Sequence, residues 1–245
     1  MSYDAYSTWK GWDEAGFGRP NPTEEAFYQE EIGRLLDRLD YRAAVLEIGF
    51  GNGAFLGWAK AQQYKVYGSE LQEELRLRAR TLSIPIVQVP SDLPASTLDA
   101  VVALDVFEHI EYSELVRLCR EIFSRLRPGG YLFARFPNAD SPFGLVLQNG
   151  DQTHINALGQ GKVSDLMRLS GFTKYELRAP QEVAANIRGG ISIKIKDMLR
   201  WAFTTYVRIA FLGGSTPRTF AMNYLLVAQK PIEPGEQGRA PATDR

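Results

Sequence analysis

Two periods of hydrophobicity run through this chain. Ala43 to Ile48, Lys65 to Gly68, Ile84 to Val89, Leu98 to Val106, Tyr131 to Phe136, Thr173 to Leu177 and Asn223 to Gln229 are short apolar or alternating runs, the pattern of strands. Between them the apolar positions recur at helical spacing. Phe27, Ile32, Leu35, Leu36 and Leu39 mark a helix that opens at Asn21 as N-cap, with Pro22 in its first turn and Glu24 placed to complete a capping box. Ala54 to Gln62, the charged segment Gln72 to Arg80, Ser113 to Leu126 and Val163 to Leu169 are further helices, the third stopped by Pro128-Gly129-Gly130 and the last by Gly171. Strands alternating with helices predict an α/β fold with a doubly wound parallel sheet.

The first strand ends in Glu47-Ile48-Gly49-Phe50-Gly51-Asn52-Gly53. Glycines there permit φ > 0 and leave no Cβ between the backbone and a ligand. Strand, glycine turn and helix are a nucleotide-binding geometry open to two ligand classes. Gly49 to Ala54 fits the dinucleotide fingerprint, which keeps a nicotinamide- or flavin-binding protein, or a non-catalytic one, in view. Glu47 argues the other way: a carboxylate is unfavourable beside a pyrophosphate and favourable beside an ammonium and a sulfonium.

Glu47-x-Gly49-x-Gly51-x-Gly53 resembles the first motif of the class I S-adenosylmethionine-dependent methyltransferases. Asp105-Val106-Phe107-Glu108-His109-Ile110 resembles the motif that follows strand four in many of its small-molecule members. The resemblance implies a Rossmann-like sheet of seven strands, one to five parallel and the seventh antiparallel between five and six. It implies S-adenosylmethionine as cofactor and S-adenosylhomocysteine as product. The cofactor-binding candidates are Glu47, Gly49, Phe50, Gly51, Gly53, Glu70, Asp92, Leu93, Asp105 and Val106. Glu70 closes the second strand, where a carboxylate accepts from both ribose hydroxyls. Asp92, in the loop after the third strand, is a candidate for the adenine amine or an ordinary turn former.

Methyl transfer to an alcohol needs an oriented acceptor and a base for one proton. The chain has 2 histidines, His109 and His154, both in loops at the carboxyl edge of the sheet. His154 is the first candidate base, with Asp151 as its orienting partner; His109 is the second, or only fixes its loop. Glu108, His109, Asp151 and His154 could instead hold a divalent metal that lowers an acceptor hydroxyl's pKa, although no tight ligand spacing supports one.

Phe136 to Pro142, Gly150 to His154 and the segment between the last two strands look like bacterial methyltransferases of surface-polysaccharide and lipopolysaccharide assembly. That resemblance implies O-methylation of a sugar hydroxyl on a glycan or lipid-linked glycan. A small lipophilic phenol or quinone precursor is the alternative acceptor. Within Ile191 to Leu212, an apolar stripe of Ile195, Met198 or Leu199, Ala202, Tyr206 and Ile209 lies beside Lys196, Arg200, Thr204 and Arg208, making a basic amphipathic helix. It suits peripheral contact with a membrane, a cover for the domain itself or a homodimer interface.

Composition narrows the setting. A chain of 245 residues with 44% hydrophobic content suits one domain with a decoration: an aromatic arm and helix over 1–40, a methyltransferase domain over 41–230 with an insertion at 183–215, and a disordered tail over 231–245. Net charge is −1, from 28 basic and 29 acidic residues, so no global field draws the protein to nucleic acid. The 1 cysteine, Cys119, and the lack of a signal-like N-terminus fit a cytoplasmic protein, or one peripheral on the inner face of the cytoplasmic membrane. Tyr3, Tyr6, Trp9, Trp12 and Phe17 suggest an arm packed on the domain or a lid over the cofactor cleft.

Overall fold

The structure, a computed structural model, describes residues 16–39, 41–182, 187–213, 217 and 219–232, with the side chains of the last helix described from Ser192. Tyr3, Tyr6, Trp9 and Trp12 of the expected arm, residues 183–186 and 214–215 of the insertion, and 233–245 of the tail lie outside the described residues.

Helix α1 (Pro22–Tyr28) opens as expected: Asn21 Oδ1 accepts from the amides of Thr23 and Glu24, and the Asn21 amide donates to the Glu24 carboxylate. It continues through one π-helical turn, Gln29–Gly33, into Arg34–Leu36. Then follow β1 (Ala44–Ile48), α2 (Ala54–Ala61), β2 (Lys65–Ser69), α3 (Glu73–Thr81), β3 (Leu98–Leu104), α4 (Tyr112–Arg125), β4 (Leu126–Pro137), α5 (Gly144–Gly150), α6 (Gln160–Ser170), β5 (Lys174–Arg178), α7 (Ile187–Leu212) and β6 (Asn223–Gln229). The sheet runs β2-β1-β3-β4-β6-β5, with β6 antiparallel to both of its neighbours and the other pairs parallel.

The described residues thus form six strands where seven were expected. The missing one is the third, Ile84 to Val89, whose backbone pairs with the sheet edge at a single Gly68–Ile86 bridge flanked by two backbone hydrogen bonds. Pro85, inside the run, has no amide to donate, and Ser83 just before it sits at φ 55, so the chain enters at a bend and cannot extend the ladder. The β4 strand also starts earlier than expected. Pro128, Gly129 and Gly130 end the preceding helix as expected, but they lie within the strand, where the Gly129 amide bonds the Lys230 carbonyl at 2.9 Å.

Strand period 2 sorts the core into two layers. Leu46, Val101, Ala103, Leu132 and Ala134 pack on α4 and α6, while Val45, Ala100, Val102 and Phe133 pack on α1, α2 and α3. Asp99, an acid in an apolar strand, sits at the amino-terminal end of β3. Its carboxylate accepts from the Ala44 amide, the Tyr41 hydroxyl and Arg127, so it is a structural anchor far from the site. The expected amphipathic helix forms as α7. It is held by Phe203 between Phe143 and Phe220 and by Glu182 against Lys196 and Arg200. Its Met198, Tyr206 and Ile209 are 60%, 62% and 71% exposed. No described helix is long and apolar enough to cross a membrane.

Candidate active site

The carboxyl ends of β1, β2, β3 and β4 converge on a cleft of ≈ 540 Å³, in the size range of small-molecule sites. Its floor is the glycine turn. Gly49, Gly51 and Gly53 have φ of 65°, 49° and 70°, the left-handed region that side chains rarely adopt. Two of them also have no room for a side chain. A Cβ on Gly49 would lie 2.6 Å from Val106, and one on Gly53 2.8 Å from the Phe17 ring. Phe17 is buried edge-on to Phe50, and the Gly18 amide bonds the Asn52 carbonyl at 2.8 Å, so the end of the N-terminal segment props the turn from behind.

Of the acids expected at the cofactor, Glu47, Glu70 and Asp105 line the cleft. Glu47 is 4% exposed, and its Oε2 has no hydrogen-bond partner among the described residues. Burial, and secondarily the charge of Glu70, push its carboxyl well above the usual range, with only the Leu56 amide opposing. Glu70 is pinned at the rim, accepting from the amides of Gly51 at 3.2 Å, Leu71 at 2.7 Å and Gln72 at 3.2 Å.

Asp92 and Leu93 do not line the cleft; Gln88, Val89 and Pro90 take their place. The Asp92 carboxylate closes its own loop on the amides of Gln88 at 2.8 Å and Val89 at 3.2 Å, and Leu93 is buried in the core. The turn-forming role therefore overrides the adenine contact expected of Asp92. Gly53 is likewise absent from the lining, turned toward Phe17. Asp105, at φ 58, and Val106 do line the cleft, but Arg135 holds the Asp105 carboxylate in a two-pronged ion pair.

Among the lining residues not expected at the site are Glu24 and Tyr28 from α1, and Arg135 from β4. Arg135 had a readable signal, a cation inside the apolar run Tyr131 to Phe136 that must find an acid. Glu24 and Tyr28 had none, because only the packing of α1 on α2 brings them to the cleft. Burial, then the charges of Glu47 and Glu24, raise the Tyr28 hydroxyl and keep it neutral.

The two histidines meet, although they come from distant loops. Their rings lie edge to face with centroids 4.6 Å apart. His109 lines the cleft and His154 does not, which reverses the order expected of them. His154 stands behind, its Nδ1 3.1 Å from the Leu147 carbonyl and its Nε2 3.8 Å from Asp151 and 3.9 Å from Glu108. Asp151 is thus near His154 as expected, but its hydrogen bonds run to Thr153, whose hydroxyl is 3.0 Å from His109 Nδ1. Glu108, His109 and His154 each offer one ligand atom within 4.8 Å of the others, a set that could hold a divalent cation.

A family model described as a methyltransferase domain matches residues 23–202, most of the chain and all of this cleft. The chain belongs to that family. The methyltransferase has the fold of solved enzymes at low sequence identity. A SAM-dependent methyltransferase from Archaeoglobus fulgidus superposes with TM-score 0.61 at 18% identity, covering 84% of this chain and 94% of that one. A possible histamine N-methyltransferase from Thermotoga maritima gives 0.57 at 16%, covering 94% and 100%. The 1,6-didemethyltoxoflavin-N1-methyltransferase of Burkholderia thailandensis, solved with its acceptor and S-adenosylhomocysteine, gives 0.54 at 16%, covering 94% and 83%. No curated protein sequence matches the chain. The methyltransferase is S-adenosylmethionine-dependent. Its cleft fits that cofactor: the partnerless oxygen of Glu47 suits the ammonium of the methionine portion, and side-chain-free Gly49 and Gly51 leave room beside it.

Proposed function

We propose that this methyltransferase acts on a hydroxyl, in particular one on a glycan of the bacterial cell envelope that is carried on a lipid. The observation behind a hydroxyl acceptor is His109, an imidazole in the cleft wall backed by Thr153 and Asp151. S-adenosylmethionine supplies a methyl carbon activated by its sulfonium, so the chain need only orient the acceptor and take up one proton. The proton-accepting role expected of His154 passes to His109. As the acceptor oxygen gains its methyl group and the carbon–sulfur bond breaks, His109 takes the hydroxyl proton and later loses it to solvent, leaving an ether and a neutral thioether. His154, packed on the His109 ring, supports it from behind. Glu47, Gly49, Gly51 and Glu70 hold the cofactor side, with Asp105 fixed by Arg135.

A lipid-linked acceptor is supported by α7. Its Phe203, 44% exposed, adjoins Phe143 and Phe220, on the chain just beyond the carboxyl end of β4 and just before β6. Exposed aromatics and basic residues on one helix suit the lipid interface, which would place the protein peripherally on the inner face of the cytoplasmic membrane. The second reading, a small lipophilic phenol or quinone precursor, is favoured by the apolar wall of Leu104, Val106, Ile110 and Leu118.

Labelled cofactor incubated with fractionated envelope glycans and with lipid extracts separates the two. Label in saccharide supports the first reading, and label confined to a phenolic lipid supports the second. Flotation on anionic liposomes, lost in a Met198→Asp, Ile209→Asp double variant, tests the docking of α7. Concentration-dependent dimerisation lost in the same variant, without flotation, would assign that face to a second copy of the chain.

A further inference from the structure

We infer that Thr153 is a positioning residue that sets which nitrogen of His109 carries the hydrogen, through a chain from Asp151 to Thr153 to His109. The inference rests on the reading of His109 as proton acceptor. Asp151, the residue that ends α5, is 6% exposed, and its Oδ1 accepts from the Thr153 amide at 2.9 Å and from the Thr153 hydroxyl at 2.5 Å. A threonine hydroxyl has a single hydrogen, and the carboxylate takes it. Thr153 Oγ1 therefore presents only lone pairs to His109 Nδ1, 3.0 Å away. That contact is attractive only when Nδ1 bears a hydrogen.

The consequence falls on the other side of the ring. A neutral imidazole protonated at Nδ1 carries its lone pair on Nε2, and His109 is one of the residues that line the cleft. The hydrogen on Nδ1 is met by Thr153 Oγ1 and, one bond further, by the Asp151 carboxylate that takes the Thr153 hydrogen. The backbone builds the same turn. The His154 amide donates to the Asp151 carbonyl at 3.1 Å, holding Thr153 between them. His154 obeys the same logic with a different partner, because its Nδ1 faces the Leu147 carbonyl, which can only accept.

The chain's 2 histidines make the test direct. Long-range proton–nitrogen correlation spectra of the full-length protein, with labelled imidazoles, should show both rings as Nδ1–H tautomers. In Thr153→Val, His109 should move toward the Nε2–H form while His154 stays as it was. Thr153→Ser should keep both as in the wild type. On an identified acceptor, Thr153→Val should lower kcat by about 10- to 100-fold, with S-adenosylhomocysteine affinity unchanged and turnover restored by serine. A wild-type His109 in the Nε2–H form, or one that remains Nδ1–H in Thr153→Val, overturns the inference; the wild-type spectrum suffices should the valine variant fail to fold. The tautomer response needs no acceptor. Its presence alongside an acceptor that proves to be an amine would support the positioning role and sink the hydroxyl reading alone.

Discussion

Replacing Glu47 by glutamine separates the cost of this acid from its use. The change keeps the volume of a side chain that is 4% exposed, and it keeps an oxygen able to accept from the Leu56 amide. It removes a carboxylate that is buried, lies near Glu70 and has one oxygen without a donor. Affinity should fall and stability should not. A hydrogen bond to a charged group contributes about 1.5–3 kcal/mol. At about 1.4 kcal/mol per decade, Glu47→Gln should weaken S-adenosylhomocysteine about 10- to 150-fold. The stability sign follows from the raised carboxyl: its contribution is fully present below the ordinary carboxylate value and is lost as pH rises through the raised one. At neutral pH the unliganded variant should therefore melt no lower than the wild type. Titration calorimetry of ligand and scanning calorimetry of unliganded protein measure the two effects. Unchanged affinity, or a melting temperature that drops along with it, would refute the assignment of Glu47 to the cofactor's ammonium.

The same carboxyl predicts proton linkage. A bound ammonium favours the ionised form, so ligand binding should release a proton and tighten as pH rises from the ordinary carboxylate value toward the raised one. Calorimetry in two buffers of different ionisation enthalpy reads that proton, and its absence in Glu47→Gln is the control. In the π-helical turn that follows Tyr28, Glu31 is 2% exposed and accepts two hydrogen bonds from Arg178 and one from the Gln181 amide. Arg178→Ala leaves that buried carboxylate without a cation, with the Gln181 amide as its remaining donor here, and should cost about 3 kcal/mol in urea denaturation. Burial pushes the Cys119 thiol up to about 12, and the side chain is fully buried, so alkylation at pH 8 should be negligible until the protein unfolds.

Much of the fold was legible because its causes are local. Asn21, Pro22 and Glu24 specify a helix start by capping chemistry whatever packs on it, and the structure forms that box. Glycines at the end of an apolar strand specify a tight left-handed turn by sterics alone, and Gly49, Gly51 and Gly53 make it. The inserted antiparallel last strand followed from the family resemblance, and Asn223–Gln229 occupies that place. The third strand failed because hydrophobic content outweighed Pro85 in reading the sequence, whereas a ladder requires amides.

The sequence by itself therefore determined the alternation of strands and helices and the glycine turn, since each depends on neighbours a few residues away, and the expectation of the cofactor came with the family resemblance. Only the tertiary structure decided what each acid and histidine faces. Arg135 takes Asp105, the loop amides take Asp92, and His109 rather than His154 stands in the cleft wall. Those outcomes depend on groups supplied by other elements, and no local pattern of residues encodes where a distant loop will place a hydroxyl or a guanidinium. Thr153 shows the point most plainly: in sequence it is one polar residue in a polar loop, and in the fold its oxygen lies 3.0 Å from the histidine of another loop.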